Sequence, residues 1–354
     1  MPPHTLSLAS RPAPVAAEAG PAAGGGDHAR PPHVAVLIPC YNEEVAIPRV
    51  VAAFRDALPE ATVYVYDNNS RDRTREVAAA AGAVVRTEAL QGKGHVVRRM
   101  FADIDADVYL LVDGDDTYDA AAAPELVRLL LEQQLDMVTG VRVTDAAAAY
   151  RPGHRFGNAL LTGMVRQVFG NRISDMLSGY RAFSRRFVKS FPTLAEGFET
   201  ETEFTVHALE LRLPVGEVLT QYKERPQGSA SKLNTYRDGF RILRTIVLLV
   251  QRERPLAFFA TAGALLLLLG VGLSVPVVLE FLRTGLVPRL PTAVLSTGLV
   301  LLSFLSFACG LILDTVTRGR KEAKRIAYLG IPAPAFDTSA LPEGGEGPPP
   351  VAAA

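Results

Sequence analysis

Short apolar runs alternate with amphipathic stretches between residues 33 and about 232. Runs rich in β-branched and aliphatic residues indicate buried strands, whereas apolar positions three or four residues apart indicate helices that pack against them. Strands that alternate with helices are typical of an α/β domain with a mainly parallel sheet. The pattern predicts strands over 33–39, 61–67, 83–87 and 107–112, and helices over 44–58, 71–81 and 95–104.

Two long stretches without charged side chains follow, at residues 255–279 and 290–313. Each exceeds the roughly 20 apolar residues that cross a hydrocarbon core about 30 Å thick. They therefore predict a hairpin of two transmembrane helices, within residues 255–314.

Basic residues flank this hairpin, whereas the loop inside it holds only Arg283 and Arg289. Cytoplasmic flanks of membrane spans carry an excess of Lys and Arg. The asymmetry predicts a multi-pass protein of the cytoplasmic (inner) membrane with both termini and the α/β domain in the cytoplasm. The flanking residues are Arg252 and Arg254 before the hairpin, and Arg318, Arg320, Lys321, Lys324 and Arg325 after it.

The rest of the chain divides by composition. Residues 32–233 form the predicted catalytic domain, and residues 234–254 predict an interfacial amphipathic helix, because apolar and arginine positions occupy neighbouring helical faces. Residues 315–330 are a basic cytoplasmic segment. The termini, residues 1–31 and 331–354, are rich in Ala, Pro and Gly and predict disordered tails.

Charge and cysteine content narrow the function. The chain holds 37 basic and 37 acidic residues, so no overall positive charge favours nucleic acid as a partner. Its two cysteines, Cys40 and Cys309, lie far apart and offer no metal-ligand spacing. This composition agrees with a reducing, cytosolic setting.

Polar clusters follow three of the predicted strands, at residues 40–44, 67–70 and 113–116. In an open α/β sheet, ligands bind beyond the carboxyl ends of the strands. Carboxylates at such a position can hold a divalent cation against a phosphate. Asp113 and Asp115, which follow a buried strand, are the main candidates.

The ordered motifs resemble those of family 2 glycosyltransferases with the GT-A fold. The resemblance rests on Ile38-Pro-Cys-Tyr-Asn-Glu-Glu44, Tyr66-Asp-Asn-Asn-Ser-Arg-Asp-Arg-Thr74, Gly92-Lys-Gly94 and Asp113-Gly-Asp115. Ser178-Gly-Tyr-Arg181 and Gly228-Ser-Ala-Ser-Lys-Leu233 are similar to the polyprenyl-phosphate branch, which includes dolichyl-phosphate mannose synthases and undecaprenyl-phosphate glucosyltransferases.

The resemblance implies a role for each matching residue. Asp113 and Asp115 would hold Mg²⁺ or Mn²⁺ on the nucleotide diphosphate, and Asp175 and Glu201 are further catalytic candidates. The implied ligands of the nucleotide sugar, linked to uridine or guanosine diphosphate, are Pro39, Tyr41, Glu43, Asp67, Lys93, Asp113 and Arg142. Those of the acceptor phosphate are Arg155, Ser178, Arg181, Arg225, Ser231 and Lys232.

The acceptor class determines the chemistry. A lipid monophosphate has its second pKa near 6 and is largely a dianion at neutral pH, so it needs basic side chains to hold it more than a general base. We therefore predict metal-assisted transfer with inversion at the anomeric carbon, from a nucleotide sugar to a membrane polyprenyl phosphate, for cell-envelope glycosylation. The donor sugar and any homo-oligomerisation stay open.

Three alternatives remain. The acceptor could be another lipid, such as diacylglycerol or ceramide, which would make the protein a glycolipid synthase. Asp113-Gly-Asp-Asp-Thr117 also fits the opening motif of haloacid-dehalogenase-like phosphatases, but these carry it on their first strand, and here it follows the fourth. A non-catalytic membrane anchor is the third alternative, and the intact Asp113 and Asp115 argue against it.

Overall fold

The computed structural model describes residues 30–143, 173–193, 199–223, 251 and 253–332. The strands are β1 (Val34–Cys40), β2 (Thr62–Asp67), β3 (Val84–Thr87), β4 (Val108–Leu111), β5 (Met137–Val143), β6 (Arg181–Ser184) and β7 (Val215–Gln221). The helices are α1 (Ile47–Ala57), α2 (Thr74–Ala80), α3 (Lys93–Asp103), α4 (Ala123–Glu132), α5 (Arg185–Ser190), α6 (Thr200–Leu211), α7 (Pro255–Thr284) and α8 (Leu290–Leu329).

The strands form one sheet in the order β3-β2-β1-β4-β6-β5-β7. All neighbours are parallel except β6, which runs antiparallel to both β4 and β5. The four strands and three helices predicted from the first 112 residues are confirmed, and the sheet is mainly parallel, as predicted. The carboxyl ends of β1, β2, β4 and β5 therefore meet at one edge, together with the start of β6.

Helices cover both faces of the sheet and enclose two apolar cores. On α1, the buried positions Ile47, Val50, Val51 and Phe54 follow helical spacing and pack on one face. The other face carries an aromatic cluster, in which Phe101 and Phe204 pack edge-on or tilted against neighbouring rings. This packing makes the sheet a rigid base for the side chains at its edge.

Helices α7 and α8 are long and apolar enough to cross a membrane, with mean hydropathies of 2.4 and 2.2 over their most apolar windows. Their leucines lie on the outside, as at Leu268 and Leu282, which are 71% and 73% exposed. A helix in the core of a soluble protein would bury such side chains. The exposed leucines therefore favour contact with lipid.

Both helices extend beyond the apolar stretches that predicted them. Helix α7 continues to Thr284, and α8 runs through the whole basic segment to Leu329. Lys, Arg and Glu are good helix formers, so a helix can continue where its apolar character ends. Residues 315–330, predicted as a separate basic segment, are thus mostly part of α8.

Small residues repeat every seven positions where α7 and α8 pack together. Gly263 and Gly270 of α7 face Ser303 and Ser296 of α8, and a Cβ atom added to either glycine would lie 3.1 Å from a carbonyl oxygen of the facing helix. Absent side chains let the two backbones approach closely, and a seven-residue repeat matches left-handed packing.

Most of the predicted interfacial helix and tails lies outside the described residues. The described part of each tail packs against the domain. Arg30 forms an ion pair of 2.7 Å with Asp107, and Arg186 Nε donates to the carbonyl oxygens of Ile331 and Pro332 at 3.2 and 3.3 Å. At residues 30 and 331–332, the chain therefore departs from the predicted disorder.

Candidate functional site

Asp113 and Asp115 lie on a tight turn just beyond β4. Asp116 adopts a left-handed conformation with φ of 60°, and Arg49 of α1 binds its carboxylate at 3.0 Å. Gly114 is required because an added Cβ would lie 2.6 Å from the Sγ atom of Cys40. The turn is thereby pressed against the end of β1, and Asp113 remains partly exposed with 32% of its side chain accessible.

Lys93 joins Asp113 to Glu201. Its Nζ atom donates to Asp113 Oδ1 at 2.5 Å and to Glu201 Oε1. Lys93 begins α3 and Glu201 lies in the first turn of α6, so three separate elements meet at this ammonium group. Only 10% of the Lys93 side chain and 6% of the Glu201 side chain are exposed.

The charges around Lys93 keep it protonated. Burial by itself lowers the pKa of the Lys93 ammonium, but the Asp113 and Glu201 carboxylates outweigh burial and raise that pKa above its ordinary value. Glu201, a predicted catalytic residue, is thus bound to a cation. Its position suits a structural counter-charge better than a general base.

Thr117 holds Asp115 in place. Its backbone N–H and its hydroxyl both donate to Asp115 Oδ1, at 3.3 and 2.6 Å, and both residues are buried. The Thr117 carbonyl oxygen accepts from the N–H of Lys223 at 2.8 Å. Thr117 therefore connects a candidate metal ligand to the chain that follows β7.

Gly179 packs directly against the Asp113 carboxylate. An added Cβ would lie 2.9 Å from Asp113 Cγ and would overlap Oδ2. The Gly179 N–H donates to the Tyr118 hydroxyl at 2.8 Å, which fixes this approach. The glycine of the Ser178-Gly-Tyr-Arg181 motif thus leaves room for Asp113.

Arg181 and Ser178, predicted to bind the acceptor phosphate, both point into the domain. Arg181 is fully buried, and its guanidinium donates to the carbonyl oxygens of Ser178 and Met176 at 2.9 and 2.7 Å and to the Thr205 hydroxyl at 2.9 Å. The Ser178 hydroxyl, also buried, donates to the Gly140 carbonyl oxygen at 2.5 Å. Both side chains brace the loop that carries Gly179, because their polar atoms face inward.

Arg142 and Asp175, predicted for the nucleotide sugar and for catalysis, form a pair with each other. The guanidinium donates to both carboxylate oxygens, at 2.7 and 2.8 Å, and lies 5.5 Å from the centre of the Tyr222 ring. Burial raises the pKa of Asp175, but the Arg142 hydrogen bonds and charge more than compensate and lower it. Asp175 is therefore a carboxylate that orients Arg142.

The first two strand-end clusters form a connected polar network. Asp67 is buried and accepts from the Ser70 N–H at 3.2 Å, and the Glu43 N–H donates to the Thr74 hydroxyl at 2.9 Å. Pro39 and Tyr41 lie next to it, half-buried, at the end of β1. Burial and the nearby carboxylates raise the pKa of the free Cys40 thiol, so it stays protonated.

Asn68 and Thr117 were not among the predicted site residues. The Asn68 side chain donates to the carbonyl oxygens of Glu88 and Leu90 at 3.1 and 2.7 Å and accepts from the Gly92 N–H at 2.7 Å. Gly92 has φ of 138°, which favours glycine, and it positions Lys93 at the start of α3. The position of Asn68 within a strand-end cluster was the available signal.

The donors at the turn fit a divalent cation. Asp113 and Asp115 offer hard carboxylate oxygens, and the formal charges of Asp113, Asp115, Glu201 and Lys93 leave two negative charges for such a cation to balance. Among the residues that the structure describes, no group of three or more His, Cys, Asp or Glu could hold a metal by itself. The remaining ligands would therefore come from diphosphate and water, as is usual for Mg²⁺.

The other predicted acceptor ligands, Arg155, Arg225, Ser231 and Lys232, lie outside the described residues. Their roles stay predictions. Among the described residues near them in the chain, Asp175 holds Arg142, and the Lys223 N–H donates to the Thr117 carbonyl oxygen.

Comparisons with known proteins identify the family of the chain. The model of "Glycosyl transferase family 2" matches residues 35–191. Glycosyltransferase AglJ of Haloferax volcanii is 33% identical over 306 residues, which cover 84% of this chain and 99% of AglJ. A dolichyl-phosphate hexose transferase of the same organism is 28% identical over 221 residues, or 62% of this chain and 95% of that protein.

The fold is also similar to a solved structure. Glucosyl-3-phosphoglycerate synthase from Mycobacterium tuberculosis, in complex with Mn²⁺, uridine diphosphate and glucosyl-3-phosphoglycerate, gives a TM-score of 0.50 with 22% sequence identity. The match covers 62% of this chain and 79% of that one. The family model and the match to AglJ over almost its whole length confirm the predicted family: the chain belongs to glycosyltransferase family 2.

Proposed function

We propose that this glycosyltransferase moves a sugar from a uridine or guanosine diphosphate sugar to a membrane polyprenyl phosphate, undecaprenyl or dolichyl. The reaction takes place at the cytoplasmic face and inverts the anomeric carbon. The product is a polyprenyl-phosphate sugar for cell-envelope glycosylation.

The observation that carries this proposal is the attachment of the site to an apolar helix. Beyond its apolar part, α8 packs against α5 and α6 of the catalytic domain, and Lys324 binds Glu210 of α6 at 2.6 Å. The same helix α6 supplies Glu201 to the site. An enzyme held in this way next to a bilayer is suited to an acceptor that the bilayer carries.

The residues of the site suit transfer from a nucleotide sugar. Asp113 and Asp115 would hold Mg²⁺ or Mn²⁺, which stabilises the negative charge that develops on the departing diphosphate. Thr117 and Gly179 fix the two carboxylates, and Lys93 offsets the charge they share with Glu201. The acceptor phosphate attacks as a dianion, so no side chain is needed to remove a proton.

The relatives support the acceptor and the donor. The dolichyl-phosphate hexose transferase of Haloferax volcanii aligns over 95% of its length, and its name specifies a lipid phosphate. The structurally similar synthase was solved with Mn²⁺ and uridine diphosphate, so the fold accommodates a metal and a nucleotide.

The same contacts support the proposed orientation. The catalytic domain packs on the end of α8 that carries Arg320, Lys321 and Lys324, all of which face Glu210. The domain and the basic residues therefore share one side of the hairpin, and the positive-inside rule assigns that side to the cytoplasm. Protease accessibility in inverted and right-side-out vesicles would test the assignment.

The decisive experiment incubates the purified full chain in liposomes with labelled uridine and guanosine diphosphate sugars. Separate liposomes carry polyprenyl phosphate, diacylglycerol or ceramide. We expect label to enter only polyprenyl phosphate, transfer to stop with EDTA and return with Mn²⁺, and Asp115→Ala to be inactive. Transfer to diacylglycerol or ceramide instead would identify a glycolipid synthase, and undiminished transfer by Asp115→Ala would refute the metal assignment.

A further inference from the structure

Two buried carboxylates receive the basic residues of α8: Glu210 of α6 in the catalytic domain and Glu253 just before α7. The Glu210 side chain is 0% exposed and the Glu253 side chain 5% exposed. Lys324 binds Glu210 at 2.6 Å, Arg320 binds Glu253 at 2.9 Å, and Lys321 lies 3.3 Å from Glu253. We call these five residues the α8 clamp.

Further contacts continue along the same face of α8. The Tyr328 hydroxyl donates to Asp136 at 2.9 Å, and the Arg325 guanidinium donates to the Leu211 carbonyl oxygen at 3.4 Å. Arg186 of α5 lies 5.7 Å from the centre of the Tyr328 ring. The helix therefore contacts the domain over about two turns, between Arg320 and Tyr328, and not through one ion pair alone.

Two helices, α8 and α6, link the bilayer to the reacting groups. A helix rises 1.5 Å per residue, so the part of α8 beyond Asp314 extends about 22 Å from its apolar stretch. Helix α6 spans about 14 Å between Glu210 in the clamp and Glu201 beside Lys93. Helix α6 is held by α8 at Glu210. At its other end, Glu201 contacts Lys93, which binds the candidate metal ligand Asp113.

We propose that the α8 clamp positions the active site at a fixed height and tilt above the bilayer, and that this position gives the enzyme its preference for membrane-borne phosphate acceptors. The inference rests on the proposed function. Glu210 and Lys324 are positioning residues in this scheme, because they touch neither the donor nor the acceptor. Loosening the clamp lowers transfer to an acceptor whose phosphate stays at the membrane surface, whereas a water-soluble acceptor can still reach the site.

Two substitutions of equal charge on the same helix separate this role from a general effect. Lys324→Glu places a carboxylate against buried Glu210. Arg318→Glu is the matched control, because Arg318 is 77% exposed and its ion pair among the described residues stays within α8, with Asp314 at 3.0 Å. Each variant is assayed as the full chain in liposomes with long-chain polyprenyl phosphate, and in detergent with a short, water-soluble isoprenyl phosphate.

We expect Lys324→Glu to lower kcat/KM at least tenfold for the membrane acceptor and less than threefold for the soluble one, while Arg318→Glu changes neither. Equal loss on both acceptors, or no loss on either, would overturn the positioning role. A wild-type protein that transfers sugar to neither acceptor would instead refute the proposed function itself, and the positioning role with it.

A second measurement does not depend on turnover. Energy transfer from a fluorophore on the exposed position Ala80→Cys to labelled lipid headgroups reports the position of the domain over the bilayer. The efficiency should shift in Lys324→Glu and stay unchanged in Arg318→Glu. An unchanged efficiency in Lys324→Glu would overturn the proposal, whatever the activity of that variant.

Discussion

Gly179→Ala isolates the contact between the Ser178-Gly-Tyr-Arg181 segment and the candidate metal ligand. A Cβ atom at this position would lie 2.9 Å from Asp113 Cγ and 3.1 Å from Oδ1, and it would overlap Oδ2, whereas ordinary contacts begin at 3.4 Å. Gly179 is not among the residues with positive φ, so alanine fits its backbone. The substitution therefore acts on Asp113 and not on the local backbone.

The expected loss follows from the displacement. Asp113 Cγ must retreat by about 0.5 Å and Oδ2 by about 1 Å, and a misplacement of about 1 Å at a reacting centre costs roughly 100-fold. This factor corresponds to about 2.7 kcal/mol of transition-state stabilisation. We expect kcat/KM for the nucleotide sugar to fall by that factor. The Mn²⁺ concentration that gives half-maximal activity should rise, because Asp113 is a candidate ligand of the metal.

Initial rates of sugar transfer over a Mn²⁺ titration test this expectation, with thermal unfolding measured on the same preparations. Gly216→Ala is the matched control, because its Cβ would lie 2.7 Å from the flexible end of Leu135, away from Asp113. That variant should lose some stability by overpacking and keep its activity. If Gly179→Ala retained kcat/KM within threefold of wild type, the packing of Gly179 would not position Asp113.

Three further predictions address other contacts. Thr117→Val, which loses the hydroxyl bond to Asp115, should lower kcat/KM about tenfold or more, whereas Thr117→Ser should keep it; equal activity of both variants would contradict the contact. Arg142→Met should lower the free energy of unfolding by about 3–5 kcal/mol, because it leaves buried Asp175 unpaired. The double variant Arg142→Met with Asp175→Leu should lower it less, and denaturant titration would measure both. Burial, with a smaller effect of the Lys324 charge, lowers the pKa of His207 to about 3, so only the unfolded state gains this proton as pH falls below about 6.5. Stability should therefore drop by about 1.4 kcal/mol between pH 7.5 and 5.5, and His207→Gln should remove that part of the drop in unfolding temperature.

Local pattern was enough to predict four of the seven strands and the edge of the sheet where the site lies. Each of the strands β1, β2 and β4 is an apolar run with polar residues directly after it, so the whole signal lies within about ten residues of sequence. Contacts between distant segments carry no such signal. Lys93 binds Glu201 across 108 positions, and neither helix pattern indicates the partner.

Arg181 and α8 show two further limits of local pattern. An arginine in a motif suggests a ligand for phosphate, but Arg181 is buried because the carbonyl oxygens of Met176 and Ser178 can satisfy its donors. The basic residues after the second apolar stretch suggest a solvated flank, but Lys324 pairs with buried Glu210. In each case the fold supplies partners that the neighbouring sequence does not contain.

The antiparallel direction of β6 has a consequence for how the enzyme could be re-engineered. Because β5 ends and β6 begins at the same edge of the sheet, the chain between Val143 and Asp175 departs from and returns to that edge. The chain that follows β7 also departs there, since β7 is parallel to β5. Both connections can thus be exchanged between homologues as cassettes that join the sheet at its site edge, without a change in the pairing of β5 with β6 and β7.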